Sequence, residues 1–450
     1  MQLLETWREV ARGLHLTLRF FLAASAIVLA YILAFPYPSL LPFAHGLLLC
    51  VLVAALVDTF LLFPLRGGFS ARRDVPKLFS LGDLNTLRVH LTHTGNLPLH
   101  VEVYDELPRQ FQEREFHMDF RLAPGETRTL NYDVRPTTRG EYLFGHINVL
   151  AKTPLGLASR RHMLGTPQMV PTYPSVIQMK KFELIAFAKT ATIQGIKKVR
   201  RLGHSYEFEQ IKSYVQGDDV RSINWKATSR RHSLMVNQYE DERSQQVYSI
   251  IDKSRSMYMP FNGLSLLDYA INTSLVISNI ALKKHDKVGL ISYSNKIGST
   301  IKADKSPVHL RKILAALYNE KEHAMEANYD LLYRATKNVI KSRSLVFVYL
   351  NFESIYAMER ALPVLQKINR QHLLVCMVFE NTELQDYTRK RAEFIQDIYT
   401  QTIAEKLVQE KKQMVSKLRK YGIQTILTRP EDLSINTVNK YLELKKTGQI

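Results

Sequence analysis

The chain reads as a multi-domain protein: a two-helix transmembrane hairpin, a β-sandwich, then an α/β domain with a Rossmann-like, mostly parallel sheet. Three observations point there. No Lys or Arg occurs from Phe20 to Phe63; apolar and polar residues alternate between turn signals from Asn85 to about Pro174; and after Gln246 short apolar strands alternate with amphipathic helices. At 450 residues the chain exceeds what one core can hold. The expected divisions are 1–77 for the membrane hairpin and its basic flanks, 78–174 for the sandwich, 175–245 for a connector and 246–450 for the α/β domain.

Residues 20–35 and 40–63 read as membrane helices, the first extensible backwards through 14–18, around the turn Pro36-Tyr37-Pro38-Ser39. Arg8, Arg12 and Arg19 precede the pair, and Arg66, Arg72, Arg73 and Lys77 follow it. Positive flanks on both outer ends place a multi-pass chain in the inner membrane, with both termini and the soluble domains cytoplasmic. A cleaved signal peptide is disfavoured, because a second apolar span follows at once and no small-residue cleavage site precedes it. Asp58, near the cytoplasmic end of the second span, is expected to be solvated or hydrogen-bonded at the interface. Cys50 and Cys376 lie in unlike surroundings, so no disulfide is expected.

In the sandwich, 87–91 and 99–103 alternate around Gly95-Asn96 and read as an antiparallel hairpin. Pro124-Gly125 introduces a strand at 127–134, and Arg139-Gly140 introduces another at 142–149. Such spacing fits an immunoglobulin-like sandwich with no catalytic residue. The connector holds Gly217-Asp218-Asp219-Val220-Arg221-Ser222-Ile223-Asn224-Trp225-Lys226. There Gly217 allows a turn, Asp218 can cap a short helix, Arg221 can pair with Asp218 or with a nearby carboxylate, and Ile223 and Trp225 give the helix something to bury. Packing and partner binding both remain open for this segment.

In the α/β region, the strand 247–251 runs directly into Asp252-Lys253-Ser254-Arg255-Ser256. One carboxylate and two hydroxyls in a tight loop at a strand's carboxyl end are oxygen donors suited to a divalent cation. A helix is expected at 266–282, then strands at 288–292, 345–350 and 373–379 and helices at 308–317, 331–340 and 356–368. A long charged helix over 384–420 should stop at Gly422, before a strand at 423–427 and a last helix near 433–442.

The Asp-x-Ser-x-Ser loop resembles the metal-ion-dependent adhesion site of von Willebrand factor A domains. With the Gly217 to Lys226 run, Arg139-Gly140-Glu141-Tyr142, Pro154-Leu155-Gly156-Leu157 and Ile251-Asp252-Lys253-Ser254-Arg255-Ser256-Met257, the chain resembles the bacterial membrane-anchored family known as domain of unknown function 58. That resemblance implies a β-sandwich joined to a von Willebrand A-like domain and association with AAA+ ATPases of the MoxR type. It also implies a Thr and a second Asp at the metal face, where this chain has Tyr329 and Asn351. The remaining set is Asp252, Ser254, Ser256 and Asn351, with Asp330 and Glu353 as neighbours. Mg²⁺ is held largely by charge, so binding is expected to be weak or absent.

The formal charge of +19 is spread along the chain, with clusters at Lys197, Lys198, Arg200 and Arg201 and at Arg221, Lys226, Arg230 and Arg231. Attraction to anionic membrane lipid accounts for such an excess on a tethered protein. A nucleic-acid role finds no recognisable motif and no aromatic interleaving beyond Trp225. A metal-dependent hydrolase would draw on Asp252, Asp218 and Asp219, but no phosphate-binding glycine loop, His-Glu-x-x-His or Gly-x-Ser-x-Gly occurs. The expectation is therefore an interaction scaffold and not an enzyme. Its partner-binding residues are Asp218, Asp219, Arg221, Trp225, Lys226, Arg230 and Arg231.

Overall fold

The computed structural model describes residues 13–63, 68–113, 116–192, 207–216, 218–231, 233–240, 244–389 and 394–449. Arg8, Arg12, Arg66, the cluster from Lys197 to Arg201 and Gly217 lie outside the described residues. The chain divides into two compact units at the Tyr173–Pro174 bond.

The first unit contains two packed apolar helices, α1 (Leu18–Ala34) and α2 (Leu41–Leu62). Pro38 opens the short 3-10 turn between them, where its missing N–H costs nothing. Among the described residues, Pro38–Leu62 is long and apolar enough to cross a membrane by length and composition, and α1 is shorter. Most of their large side chains, such as Phe21, Leu29, Leu56 and Phe60, point away from the protein.

The strands of this unit are β1 (Leu14–Leu16), β2 (Phe69–Asp74), β3 (Phe79–Ser80), β4 (Asn85–His93), β5 (Leu99–Asp105), β6 (His117–Leu122), β7 (Thr127–Val134), β8 (Gly140–Phe144), β9 (Ile147–Lys152), β10 (Ala158–Leu164) and β11 (Gln168–Tyr173). They form sheets ordered β1-β10-β9-β5-β6, β2-β4-β7 and β3-β11-β8. Alternation sends Leu87, Val89 and Leu91 of β4 and Val101 and Val103 of β5 into one shared core, making a β-sandwich. Asp105 ties that core together, accepting from Arg73 Nε at 3.0 Å and from the Tyr132 hydroxyl.

Two expectations are corrected here. β4 and β5 do not pair as a hairpin: β4 lies between β2 and β7, while β5 lies between β9 and β6, so the Gly95-Asn96 segment crosses from one sheet to the other. Alternation reports which face is buried, not which strand is the partner. The strands β1 and β2, which flank the apolar helices, also belong to the sandwich sheets rather than to a separate basic border.

The second unit opens with α3 (Val176–Thr192), followed by β12 (Glu207–Ser213), α4 (Trp225–Arg231) and β13 (Met235–Glu240). The α/β part then runs β14 (Gln246–Asp252), β15 (Pro260–Phe261), β16 (Leu264–Ser265), α5 (Leu266–Lys283), β17 (Lys287–Tyr293), β18 (Ile297–Asp304), α6 (His309–Asn319), α7 (Tyr329–Val339), β19 (Leu345–Leu350), α8 (Ile355–Gln371), β20 (Leu373–Phe379), α9 (Thr382–Thr388), α10 (Ile395–Lys420), β21 (Gln424–Thr428) and α11 (Leu433–Thr447). Its sheet is ordered β18-β17-β14-β19-β20-β21, parallel throughout except for the antiparallel edge strand β18.

Helix α5 starts at a reciprocal Ser265–Asp268 capping box and is buried along nearly its whole length, because α3 and α11 cover the side turned from the sheet. β18 was missed from sequence, since its half-exposed residues lack the apolar run of a central strand. The helix expected over 384–420 is two helices, α9 and α10, of which α10 begins with Asp397 capping the Phe394 N–H at 3.0 Å.

Candidate functional site

β14 is the strand from which the sheet is wound in both directions, so its carboxyl end opens onto the crevice between β14 and β19. Asp252 sits at that end, fully buried. Its Oδ1 accepts the Ser254 N–H at 2.8 Å, and its Oδ2 has no hydrogen-bond partner. Burial pushes this carboxyl up to about 6, against the opposing pull of its bonds with Ser254. The Ser254 and Ser256 hydroxyls face each other at 3.1 Å. Ser254 makes no side-chain cap to the short 3-10 turn that follows. The intervening cations lead elsewhere: Lys253 pairs with Glu320 at 2.9 Å and Arg255 with Glu353 at 3.4 Å.

Asn351, just past β19, is held at both ends of its amide. Its Nδ2 donates to the Ser256 carbonyl at 2.9 Å, and its Oδ1 accepts from Lys411 Nζ at 2.5 Å. Lys411, on α10, also donates to the Phe352 carbonyl at 2.6 Å. Burial pushes this amine down to about 8, with Glu353 opposing. Tyr329 starts α7, and its ring lies 6.5 Å from that of Tyr293. Burial raises both phenols, and the Asp252 charge adds to the rise of each. Asp330 lines a neighbouring cleft of about 460 Å³ with Asn328 and Arg360.

These residues fit a divalent cation only in part. The unpaired Asp252 Oδ2 and the two serine hydroxyls are suitable donors, but the Asn351 oxygen already serves an ammonium, and Glu353 serves Arg255. Asp252, Asp218 and Asp219 do not gather into one cluster among the described residues, as a hydrolytic metal site would require. The one such cluster found there, His100, Glu102 and Asp119 on the sandwich, is satisfied internally: His100 meets Asp119 at 2.7 Å and Lys152 pairs with Glu102.

The second group of sequence-identified residues is built on β12, α4 and β13. Asp218 accepts Lys212 Nζ at 2.8 Å and the Val215 N–H at 3.0 Å, and these bonds hold its carboxyl below the usual range. The cap belongs to Asp219, whose Oδ1 accepts the Arg221 N–H at 3.0 Å. Asp218 therefore pairs with Lys212, not with Arg221.

Asn224 pins the start of α4, accepting the Ala227 N–H at 3.0 Å and donating to Asn237 of β13 at 2.8 Å. Trp225 corrects the expectation of a buried anchor, for it is 69% exposed; Val220 at 64% and Val215 at 62% are exposed as well. Polar pins and an Ile223–Val236 bridge already fix this short helix, so the indole is free to face out. Arg221, Lys226, Arg230 and Arg231 are exposed as well. No hydrogen bond or ion pair joins this group to the Asp252 loop among the described residues.

Lys411 was not singled out from sequence. It is one Lys among many on a charged helix, and only its buried position distinguishes it.

Residues 210–385 match the family described as Protein of unknown function DUF58, a span that takes in the Asp252 loop, Tyr329, Asn351 and the segment from Asp218 to Arg231, but not Lys411. The uncharacterized protein YeaD of Bacillus subtilis (strain 168) is 26% identical over 202 residues, covering 43% of this chain and 50% of that protein. The match thus spans half the length of that relative. Among solved structures, the CARDB domain of a Pyrococcus furiosus protein aligns at 15% identity, with a TM-score of 0.18, over 24% of this chain and 93% of that domain. A PapD-like domain of human CEP192 aligns at 11% identity, with a TM-score of 0.17, over 24% of this chain and 87% of that domain.

Proposed function

We propose that this chain is a membrane-tethered interaction scaffold that works with an AAA+ ATPase of the MoxR type. Helices α1 and α2 form a hairpin in the inner membrane. At about 1.5 Å per residue, the 17 residues of α1 span roughly 25 Å, short of a bilayer core of about 30 Å unless its flanks contribute. Both soluble parts then face the cytoplasm, where the charge of +19 is drawn to anionic lipid. The α/β part is a von Willebrand A-like domain whose Asp252 loop is a degenerate metal face, with Mg²⁺ binding on the order of millimolar or absent, since one carboxylate remains.

The observation that carries this reading is the exposure of Trp225, with Val215 and Val220, among the cations Lys226, Arg230 and Arg231, all inside the family-matched segment. An exposed tryptophan on a short helix that also carries exposed arginines has the composition of an interface hot spot. A hydrolase is not favoured, because its three carboxylates are not assembled among the described residues.

Affinity purification of the full chain in mild detergent, with and without ATP, tests this. The wild type is expected to retain the ATPase. Trp225→Ala, and Arg230→Glu combined with Arg231→Glu, should lose it at an unchanged melting temperature. Retention by both variants would remove this face from the account.

A further inference from the structure

Asp58 and the Pro154-Leu155-Gly156-Leu157 element are far apart in sequence and meet at one junction in the first unit. Asp58, one turn before the end of α2, is fully buried. Its Oδ1 accepts the Thr153 hydroxyl, and its Oδ2 accepts the N–H groups of Leu157 and Ala158, each at 2.7 Å. Three donors on one carboxylate compensate a desolvation that would otherwise be costly.

The same loop is gripped from the α1 side. The Thr17 N–H donates to the Leu157 carbonyl at 3.1 Å, its hydroxyl donates to the Gly156 carbonyl, and Arg19 Nη1 reaches the Leu155 carbonyl at 3.3 Å. Gly156 has φ +66°, and a Cβ there would meet Arg19 Nη1 at 3.0 Å, so the grip needs glycine. Arg160 of β10 donates to the Leu62 carbonyl at 3.1 Å and covers the Phe63 ring at 4.2 Å. Thr17 alone separates β1, an edge strand of the sandwich, from α1. No flexible tether lies on that side. The apolar helices and the sandwich are joined as one body, and Leu16, Leu18 and Leu155 are exposed at the junction.

We propose that this junction is a membrane-docking surface: the 153–158 loop rests in the headgroup layer of an anionic phospholipid bilayer, with Leu155 entering the acyl region and Arg19 facing lipid phosphates. The occupant is lipid because the surface continues directly into helices whose own apolar side chains are exposed, and because the exposed Arg19 adds a cation there. Asp58 acts as the clamp that sets the sandwich's height and tilt on the bilayer. This rests on the reading of α2 as membrane-spanning.

The test uses the full chain carrying Cys50→Ser, with buried Cys376 retained, in nanodiscs of phosphatidylcholine and phosphatidylglycerol. Single substitutions Leu155→Cys, Leu143→Cys and Leu52→Cys carry a polarity-sensitive fluorophore, read against aqueous iodide and against nitroxide-bearing lipid. The expected result is that labels at 155 and 52 are quenched by lipid nitroxide and shielded from iodide, while the label at 143, an exposed position on another sheet, is quenched by iodide. Asp58→Ala, which removes every acceptor for the Leu157 and Ala158 N–H groups and the Thr153 hydroxyl, should expose the 155 label to iodide and leave the 52 label unchanged. Iodide access at 155 in the parent chain, with 52 still shielded, would overturn the docking surface and spare the membrane span. Iodide access at 52 would overturn both. A 155 label that stays shielded in Asp58→Ala would overturn the clamp.

Discussion

Asp252 is the residue whose surroundings are least comfortable. A carboxyl pushed to about 6 by burial binds its proton more tightly folded than unfolded, where carboxyls titrate near 4. Its contribution is therefore most favourable below about pH 4, declines as pH rises through about 6, and stays low above that, a loss on the order of 2–3 kcal/mol. Asp252→Asn should remove this decline, raising the melting temperature above wild type at pH 7.5 and narrowing the difference toward pH 4.5; parallel pH profiles for the two proteins would contradict it. At Trp225 the expectation is the reverse of a core aromatic. With the indole exposed, Trp225→Ala should change stability by about half a kcal/mol, where a buried tryptophan would cost about 3 or more. Urea denaturation distinguishes the two. The Asp252 loop was legible because its donors are adjacent in sequence. The orientation of Trp225 was not, because a single aromatic beside a short helix carries no periodicity.

At the scale of elements, α10 explains why the metal face does not follow from its loop alone. Lys411 brings a buried ammonium to the Asn351 oxygen. Restoring the two departures, Asn351→Asp with Tyr329→Thr, should therefore create an ion pair with Lys411 before it creates a metal ligand. Calorimetry is expected to show weak Mg²⁺ binding in that double variant, and binding at least about tenfold tighter once Lys411→Met is added, since removing the competing charge is worth about 1.4 kcal/mol or more. Micromolar binding without the Lys411 change would show that the amine does not compete. Sequence periodicity located the central strands β14, β19 and β20, which are apolar on both faces. It joined α9 to α10 and paired β4 with β5, because charge density and alternation are local signals, whereas helix breaks and sheet partners depend on tertiary contacts.

For the whole molecule, the proposed hairpin of α1 and α2, with the cationic flanks read from sequence, would put both ends of the chain on one side of a membrane. A reporter fused after the last residue should be active in the cytoplasm, and periplasmic activity would reverse the topology. The scaffold reading makes a sharper demand, because the exposed face at α4 must meet a partner at the membrane. The most direct measurement replaces the exposed Val220 with a photo-crosslinking amino acid in the full-length chain, irradiates living cells and identifies the adduct by mass spectrometry. The expected result is a crosslink to a MoxR-type AAA+ ATPase that disappears when Arg230→Glu and Arg231→Glu are added. Crosslinks to lipid alone, or an ATPase adduct indifferent to those two charges, would contradict the account.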